Sequence, residues 1–192
     1  MMDEQQAIAL LKQGDLGGLE VLVRLYQLRA IRAACLILGE RTQAEDIVQS
    51  SFLRAAEKIH QFDDRRAFGP WFFRGVINAA IKSAKRQKRQ IPLENDEENE
   101  PFNLADPVPL PSDLVETEET RQAVWHALQR LAPKQRAVVI LHYYLGLTEE
   151  EIEPILKSPI GTVKWRLYAA RKRLKKFLSL DAAATDEKSE EI

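Results

Sequence analysis

Between Ile91 and Asp113 the chain carries five prolines: Pro92, Pro101, Pro107, Pro109 and Pro111. Each removes a backbone N–H and pushes the residue before it out of the α region, so neither a helix nor an interior strand can run through this stretch. The same residues are rich in acids and poor in large apolar side chains, which is the composition of an extended tether. A chain interrupted in this way has to fold as two units. They are expected at residues 1–91 and 114–179, with a linker over 92–113 and a polar tail over 180–192 that should fray.

Charge follows the same division. The overall net charge is −1, but residues 1–91 hold 15 Lys and Arg against 10 Asp and Glu. Residues 92–120 hold ten acids and no base, and residues 121–180 hold 12 bases against 4 acids. Two basic modules joined by an acidic tether point to a polyanionic partner that the mild overall charge conceals.

Both modules read as helical, and no strand-like alternation interrupts them. Ala7, Ile8, Leu10 and Leu11 open a short helix that Gly14 and Asp15 end. Leu19, Leu22, Val23, Leu25, Tyr26, Ile31, Cys35, Leu36 and Leu38 recur at helical spacing up to a stop at Gly39. Thr42 and Glu45 have capping-box spacing and predict the next start, with Ala44, Ile47, Val48, Phe52, Leu53 and Ala56 as its apolar positions. A last helix of the first module runs from about Arg66 to Gln90, its regular part beginning near Gly69 because Pro70 fits a first turn. Beyond the linker, helices are expected over 115–131 and 133–145, and then in a motif from Thr148 onward.

That motif, TEEEIEPILKSPIGTVKWRLYAARKRL, reads as a short acidic helix, a tight turn and a longer basic helix. Thr148 and Glu151 form a second capping box, and Ile152, Ile155, Leu156, Val163 and Leu167 supply an apolar seam between the two helices. Thr162, Lys164, Trp165, Arg166 and Tyr168 then lie near the start of the second helix, where a helix-turn-helix presents side chains to base edges and phosphates. Arg171, Lys172, Lys175 and Lys176 continue the cationic face and add salt-sensitive phosphate contacts. A solvated basic face on an ordinary helix is the plainer reading; turn, caps and spacing together favour DNA.

In the first module Lys82, Lys85, Arg86 and Arg89 recur at helical spacing just after Phe68, Trp71, Phe72 and Phe73. Cations beside rings suit a single nucleic-acid strand, although a small bundle also needs aromatic anchors for its core. Enzyme chemistry finds no support. His60, His126 and His142 are scattered without metal-ligand spacing, no glycine-rich phosphate loop occurs, and Glu149–Glu151 suit a helix N-terminus. No metal and no cofactor are expected. A single cysteine, Cys35, in an apolar run fits a reducing cytoplasm. No apolar run approaches the roughly 20 residues of a membrane span, and the opening MMDEQQAIALLKQGD lacks signal-peptide order. The expectation is a cytoplasmic protein with no membrane insertion.

Three blocks carry a more specific resemblance. Ala44–Gln49 (AEDIVQ) with Phe52–Ala55, Phe68–Asn78 (FGPWFFRGVIN), and Leu131–Arg136 with IGTVKWRL..ARKRL follow one another over nearly all of residues 5–178. They are similar to regions 2 and 4 of the bacterial extracytoplasmic-function sigma factors. The resemblance implies an all-α protein of two small helical domains that binds core RNA polymerase and directs it to promoter DNA. It assigns Glu45, Asp46 and Gln49 to polymerase binding, and Asn78, with the basic face of Lys82, Lys85, Arg86 and Arg89, to the −10 element. Thr162, Lys164, Trp165, Arg166, Tyr168, Arg171 and Lys172 would read the −35 element in duplex form. An anti-sigma factor is a further partner the family implies. The competing readings are a stand-alone helix-turn-helix regulator that works without polymerase, and a sigma-like protein without promoter melting.

The chain also departs from the family pattern. Ser50 replaces an acid, and Gly75 and Ile77 exchange the usual aliphatic and basic characters. Glu153 takes a small-residue position and should crowd the seam. Pro154 follows it, at about 3 kcal/mol if truly interior. Lys157 replaces the turn glycine, at about 1 kcal/mol if a left-handed conformation is kept. Ser158 and Pro159 are expected to serve as N-cap and first-turn residue of the second helix.

Overall fold

A computed structural model describes the backbone of residues 3–90 and 118–190, and the side chains of residues 3–87 and 120–179. Among these residues every regular element is helical: α1 Glu4–Lys12, α2 Gly17–Leu38, α3 Arg41–Glu57, α4 Phe68–Gln90, α5 Glu118–Gln129, α6 Pro133–Val139, α7 Glu149–Leu156 and α8 Ile160–Glu190. A 3₁₀ turn at Ile59–Gln61 follows α3, and α6 continues into one π-helical turn at Ile140–Tyr144. The linker expected over 92–113 lies outside the described residues. Helix α8 continues to Glu190, in place of the frayed tail expected from Asp181 onward.

The C-terminal half of α2 organises everything else. Residues 33–38, Ala-Ala-Cys-Leu-Ile-Leu, are all buried, because α1, α3 and α4 pack on this helix from one side and α5, α6 and the π turn from the other. A helix that is apolar all round belongs inside, and the small Ala30, Ala33, Ala34 and Cys35 let several helices approach closely. Burial pushes the Cys35 thiol up to about 11, so it is an inert core residue. Gly18 serves the same end near the start of α2. A Cβ there would meet the Ala7 carbonyl oxygen at 2.2 Å and the Leu11 nitrogen at 2.8 Å, so only glycine permits this crossing of α1 and α2.

The aromatics of the first half are core. Phe68, Phe72 and Phe73 are buried and Trp71 is half-buried; Phe52 stacks on Phe72 at 4.4 Å between ring centroids, and Phe62 lies 5.3 Å from Trp71. The buried core continues without a break from these helices into Val138, Leu141, Ile152, Ile155, Val163 and Leu167 of the second half.

Local expectations fare unevenly. The Thr148–Glu151 capping box is formed on both arms, at 3.3 Å and 2.9 Å. The Thr42–Glu45 box is not formed. Helix α3 starts earlier, capped by the Glu40 carboxylate accepting from the Gln43 nitrogen at 2.9 Å, which leaves Thr42 inside the helix. Leu25 and Leu53, expected in the core, are 51% and 57% exposed. Lys157 does adopt the left-handed conformation, φ 48° and ψ 49°, as the C-cap of α7. Pro154 is exposed and Glu153 half-buried. The bond Pro154 forfeits is the one to the carbonyl of exposed Glu150, where water can substitute, so the proline is milder than an interior one. Ser158 is not an N-cap: α8 starts at Ile160, and the buried Ser158 hydroxyl turns back to donate to the Leu156 carbonyl at 3.2 Å.

Candidate functional site

Three surfaces carry the candidate residues. On α3 the buried stripe is Ala44, Val48, Ser51, Phe52 and Ala55, which leaves Asp46 and Gln49 exposed on the other side. Glu45 is half-buried at the edge and paired with Arg41 at 2.9 Å. Leu53 lies seven residues after Asp46, so it continues the same outward stripe. An exposed leucine ringed by polar side chains is what a protein-docking face requires. Periodicity alone counts Leu53 as core and so misses it, although its two-turn spacing from Asp46 is an available signal.

On α4, Lys82, Lys85 and Arg86 are exposed, as their spacing implies, while the side chain of Arg89 lies outside the described residues. The rings preceding them face inward and leave no open aromatic platform. Asn78 is exposed on the same face as its basic neighbours but differs from them in its hydrogen bonds. Its side-chain Nδ2 donates to the Arg74 carbonyl at 2.8 Å within α4 and to the Ile155 carbonyl of α7, also at 2.8 Å. An amide has two N–H donors, and both are used.

On α8, Lys164, Trp165, Tyr168, Arg171 and Lys172 lie on one open face, with Trp165 64% and Tyr168 65% exposed. Thr162 is half-buried near the helix start. Two large rings left in solvent among lysines and arginines are costly for a monomer, and they suit a groove of bases and phosphates. Arg171 is pre-positioned: its Nε donates to the Tyr143 hydroxyl at 2.5 Å, and its guanidinium lies 5.4 Å from that ring's centroid. Arg166 departs from the set. It is half-buried and its Nη1 donates to the Ser158 hydroxyl at 2.8 Å, so it braces the turn between α7 and α8. Lys134 on α6 lies close enough to Lys85 and Arg166 that their charges hold its ammonium pKa below the usual lysine value.

The halves meet through helix ends. The last carbonyls of α2 have no partner in their own helix. Those of Leu36 and Ile37 accept from Gln129 Nε2 at 3.1 Å and from Arg136 Nη1 at 2.6 Å, both from the second half. Arg136 is buried and also donates through Nη2 to the carbonyls of Gln129 at 2.6 Å and Leu131 at 3.1 Å. Burial lowers its pKa to about 10, which leaves it charged at neutral pH, where a cation suits a helix C-terminus. In the opposite direction Arg29 of α2 donates to the Leu145 carbonyl at 3.3 Å, and Asn78 to that of Ile155.

Residues 22–90 match Sigma-70 region 2, and residues 121–174 match Sigma-70, region 4. The chain is 32% identical over 180 residues to the ECF RNA polymerase sigma factor SigW of Bacillus subtilis (strain 168), covering 91% of this chain and 96% of that protein. The chain belongs to the ECF RNA polymerase sigma factor family. A solved structure of the sigma factor RpoE in complex with the anti-sigma factor NepR from Bartonella quintana is 26% identical, covering 84% of this chain and 96% of that one, with a TM-score of 0.63. A structure of CnrH in complex with the cytosolic domain of CnrY shares the fold at 21% identity and a TM-score of 0.67, covering 93% of this chain and 98% of that one. The activity of this sigma factor is therefore promoter recognition in association with RNA polymerase, and a stand-alone regulator is not favoured. Among the described residues of the sigma factor no helix is long and apolar enough to cross a membrane, and no cluster of His, Cys, Asp and Glu could hold a metal ion.

Proposed function

We propose that this sigma factor uses its three exposed surfaces separately. The outward stripe of α3 (Glu45, Asp46, Gln49 and Leu53) docks on core polymerase. Asn78 and the basic face of α4 with Lys82, Lys85, Arg86 and Arg89 hold the melted strand of the −10 element. The open face of α8 (Thr162, Lys164, Trp165, Tyr168, Arg171 and Lys172, with Arg166 bracing the turn) reads the −35 duplex. These roles divide the chain at 1–91, 92–113 and 114–179, as the interrupted sequence suggests. The observation that carries the reading is the placement of the exposed apolar and cationic side chains: Leu53 beside the polar Gln49 and Glu57 on one helix, Trp165 and Tyr168 amid cations on another.

The protein would act in the cytoplasm and supply no chemistry of its own; bond formation belongs to the polymerase. An anti-sigma partner follows from RpoE, a relative solved with one. The assignment of α3 is tested by titrating core polymerase with the labelled chain and with Asp46→Ala/Leu53→Ser. Loss of core affinity with duplex DNA binding unchanged supports it. Unchanged core affinity overturns it.

A further inference from the structure

Helix α8 carries three arginines, and one of them is held differently from the other two. Arg166 donates through Nη1 to the Ser158 hydroxyl at 2.8 Å, and Arg173 through Nη1 to the side-chain oxygen of buried Gln135 at 2.7 Å. Both commit a terminal nitrogen to the protein and so brace α8 against its neighbours. Arg171 commits only its inner nitrogen, Nε, to the Tyr143 hydroxyl at 2.5 Å. A guanidinium carries five N–H groups, so four remain, two on each terminal nitrogen. Among the described residues no other hydrogen bond or ion pair takes them.

The partner is itself aimed. Tyr143 is 52% exposed and lies on the π turn Ile140–Tyr144. There the Leu145 nitrogen reaches back to the Ile140 carbonyl and the Leu147 nitrogen to the Leu141 carbonyl, both at 3.0 Å. The wider turn redirects its side chains relative to a continuing α-helix, and such turns recur at functional sites. Leu141 and Leu145, on either side of Tyr143, are buried and anchor it. His142 steadies the ring: its Nδ1–H donates to the Leu147 carbonyl at 3.1 Å, and its ring meets that of Tyr143 edge-on, 4.8 Å between centroids.

Arg171 lies three residues past Tyr168 and seven past Lys164, so it shares their open face. Fixing a long side chain costs rotamer freedom. A phosphate draws a cation by charge, which the flexible stems of Lys164 and Lys172 already supply on this face. A fixed fork suits an acceptor pair of fixed direction, and in the major groove that pair is O6 and N7 of guanine. We propose that Tyr143 is a positioning residue that aims the free end of Arg171 at a guanine, and so makes this sigma factor select a G·C pair at one position of the −35 duplex. The inference deepens the assignment of α8 to that duplex and rests on it.

Core RNA polymerase reconstituted with the full chain provides the test. The holoenzyme is given a pool of bacterial upstream duplexes, and the retained fragments yield the base preference at each position. The native chain should select guanine at one −35 position. Replacing that guanine by 7-deazaguanine, which lacks the N7 acceptor but pairs normally, should weaken binding about fivefold or more. Tyr143→Phe keeps the ring and removes the hydroxyl. It should cut the guanine preference by about three- to tenfold and leave the other positions, the salt dependence and the urea midpoint unchanged. Arg171→Lys should lose the same preference, and adding Tyr143→Phe to it should change nothing further. The proposal is overturned if Tyr143→Phe weakens all duplexes equally or leaves the guanine preference intact. It is equally overturned if no guanine position responds to Arg171→Lys. Should Lys164→Ala with Lys172→Ala also leave duplex selection unchanged, the assignment of α8 fails and the proposal falls with it; if that pair weakens binding while the Tyr143 variant keeps its guanine, only the proposal fails.

Discussion

Arg136 offers a sharp test of how the two halves are joined. It is a buried cation with no carboxylate in ion-pair range among the described residues, and it serves three backbone carbonyls: Ile37, Gln129 and Leu131. Arg136→Met keeps most of the stem's volume and removes the donors. Arg136 Nη1 also donates to the Gln129 side-chain oxygen, and at about 1.5–3 kcal/mol for each hydrogen bond from a charged group the four set an upper range of roughly 6–12 kcal/mol. Two terms reduce this. Taking the guanidinium out of water costs several kcal/mol that the methionine recovers, and Arg136 Nε has no partner even in the native protein. The net loss should be about 3–5 kcal/mol, a large part of the roughly 5–15 kcal/mol that holds a domain folded. Urea unfolding followed by circular dichroism should show a lower midpoint at an unchanged slope. Arg136→Lys keeps the charge but cannot reach three acceptors at once, and should fall between the two. A loss below about 1 kcal/mol for Arg136→Met would mean that water already serves these carbonyls, and the buried-cap argument would fail.

Two further predictions concern the start of the fold and the reading helix. Gly18→Ala places a methyl within 2.2 Å of the Ala7 carbonyl oxygen, which is backbone and cannot turn aside. Helix α1 must shift or detach, with a loss between about 1–3 kcal/mol for overpacking and about 3–6 kcal/mol if Ile8 and Leu11 lose their burial, read by urea midpoint. Lys164→Ala with Lys172→Ala should weaken duplex binding and flatten its dependence on log salt by about 0.9 for each phosphate no longer neutralised, as read by fluorescence anisotropy at several salt concentrations. Core polymerase affinity should not move.

Much of this architecture is legible in the sequence because it is local. The apolar periodicity of α2, the Thr148–Glu151 cap and the all-helical class depend on residues a few positions apart, where sequence distance and spatial distance agree. The Thr42–Glu45 box fails for a local reason as well: Glu40 can cap the same helix two residues earlier, and spacing alone does not rank two candidate caps. Leu25 and Leu53 resemble core residues because periodicity counts apolar side chains without knowing how many helices will cover each face. Ser158 and Arg166 look like a cap and a DNA contact in isolation, and become partners only once the turn is formed. The caps exchanged between α2 and Gln129 or Arg136, and between Asn78 and Ile155, join residues dozens of positions apart, and no pattern in the sequence announces them.

The central claim is that this chain directs core RNA polymerase to promoters through two separate DNA contacts. Run-off transcription with purified core polymerase on a library of bacterial upstream fragments tests it most directly. Adding the chain should produce discrete transcripts from fragments that share two short elements at fixed spacing, and Lys164→Ala with Lys172→Ala should reduce them. Core polymerase that gives the same transcripts with and without the chain would contradict the claim.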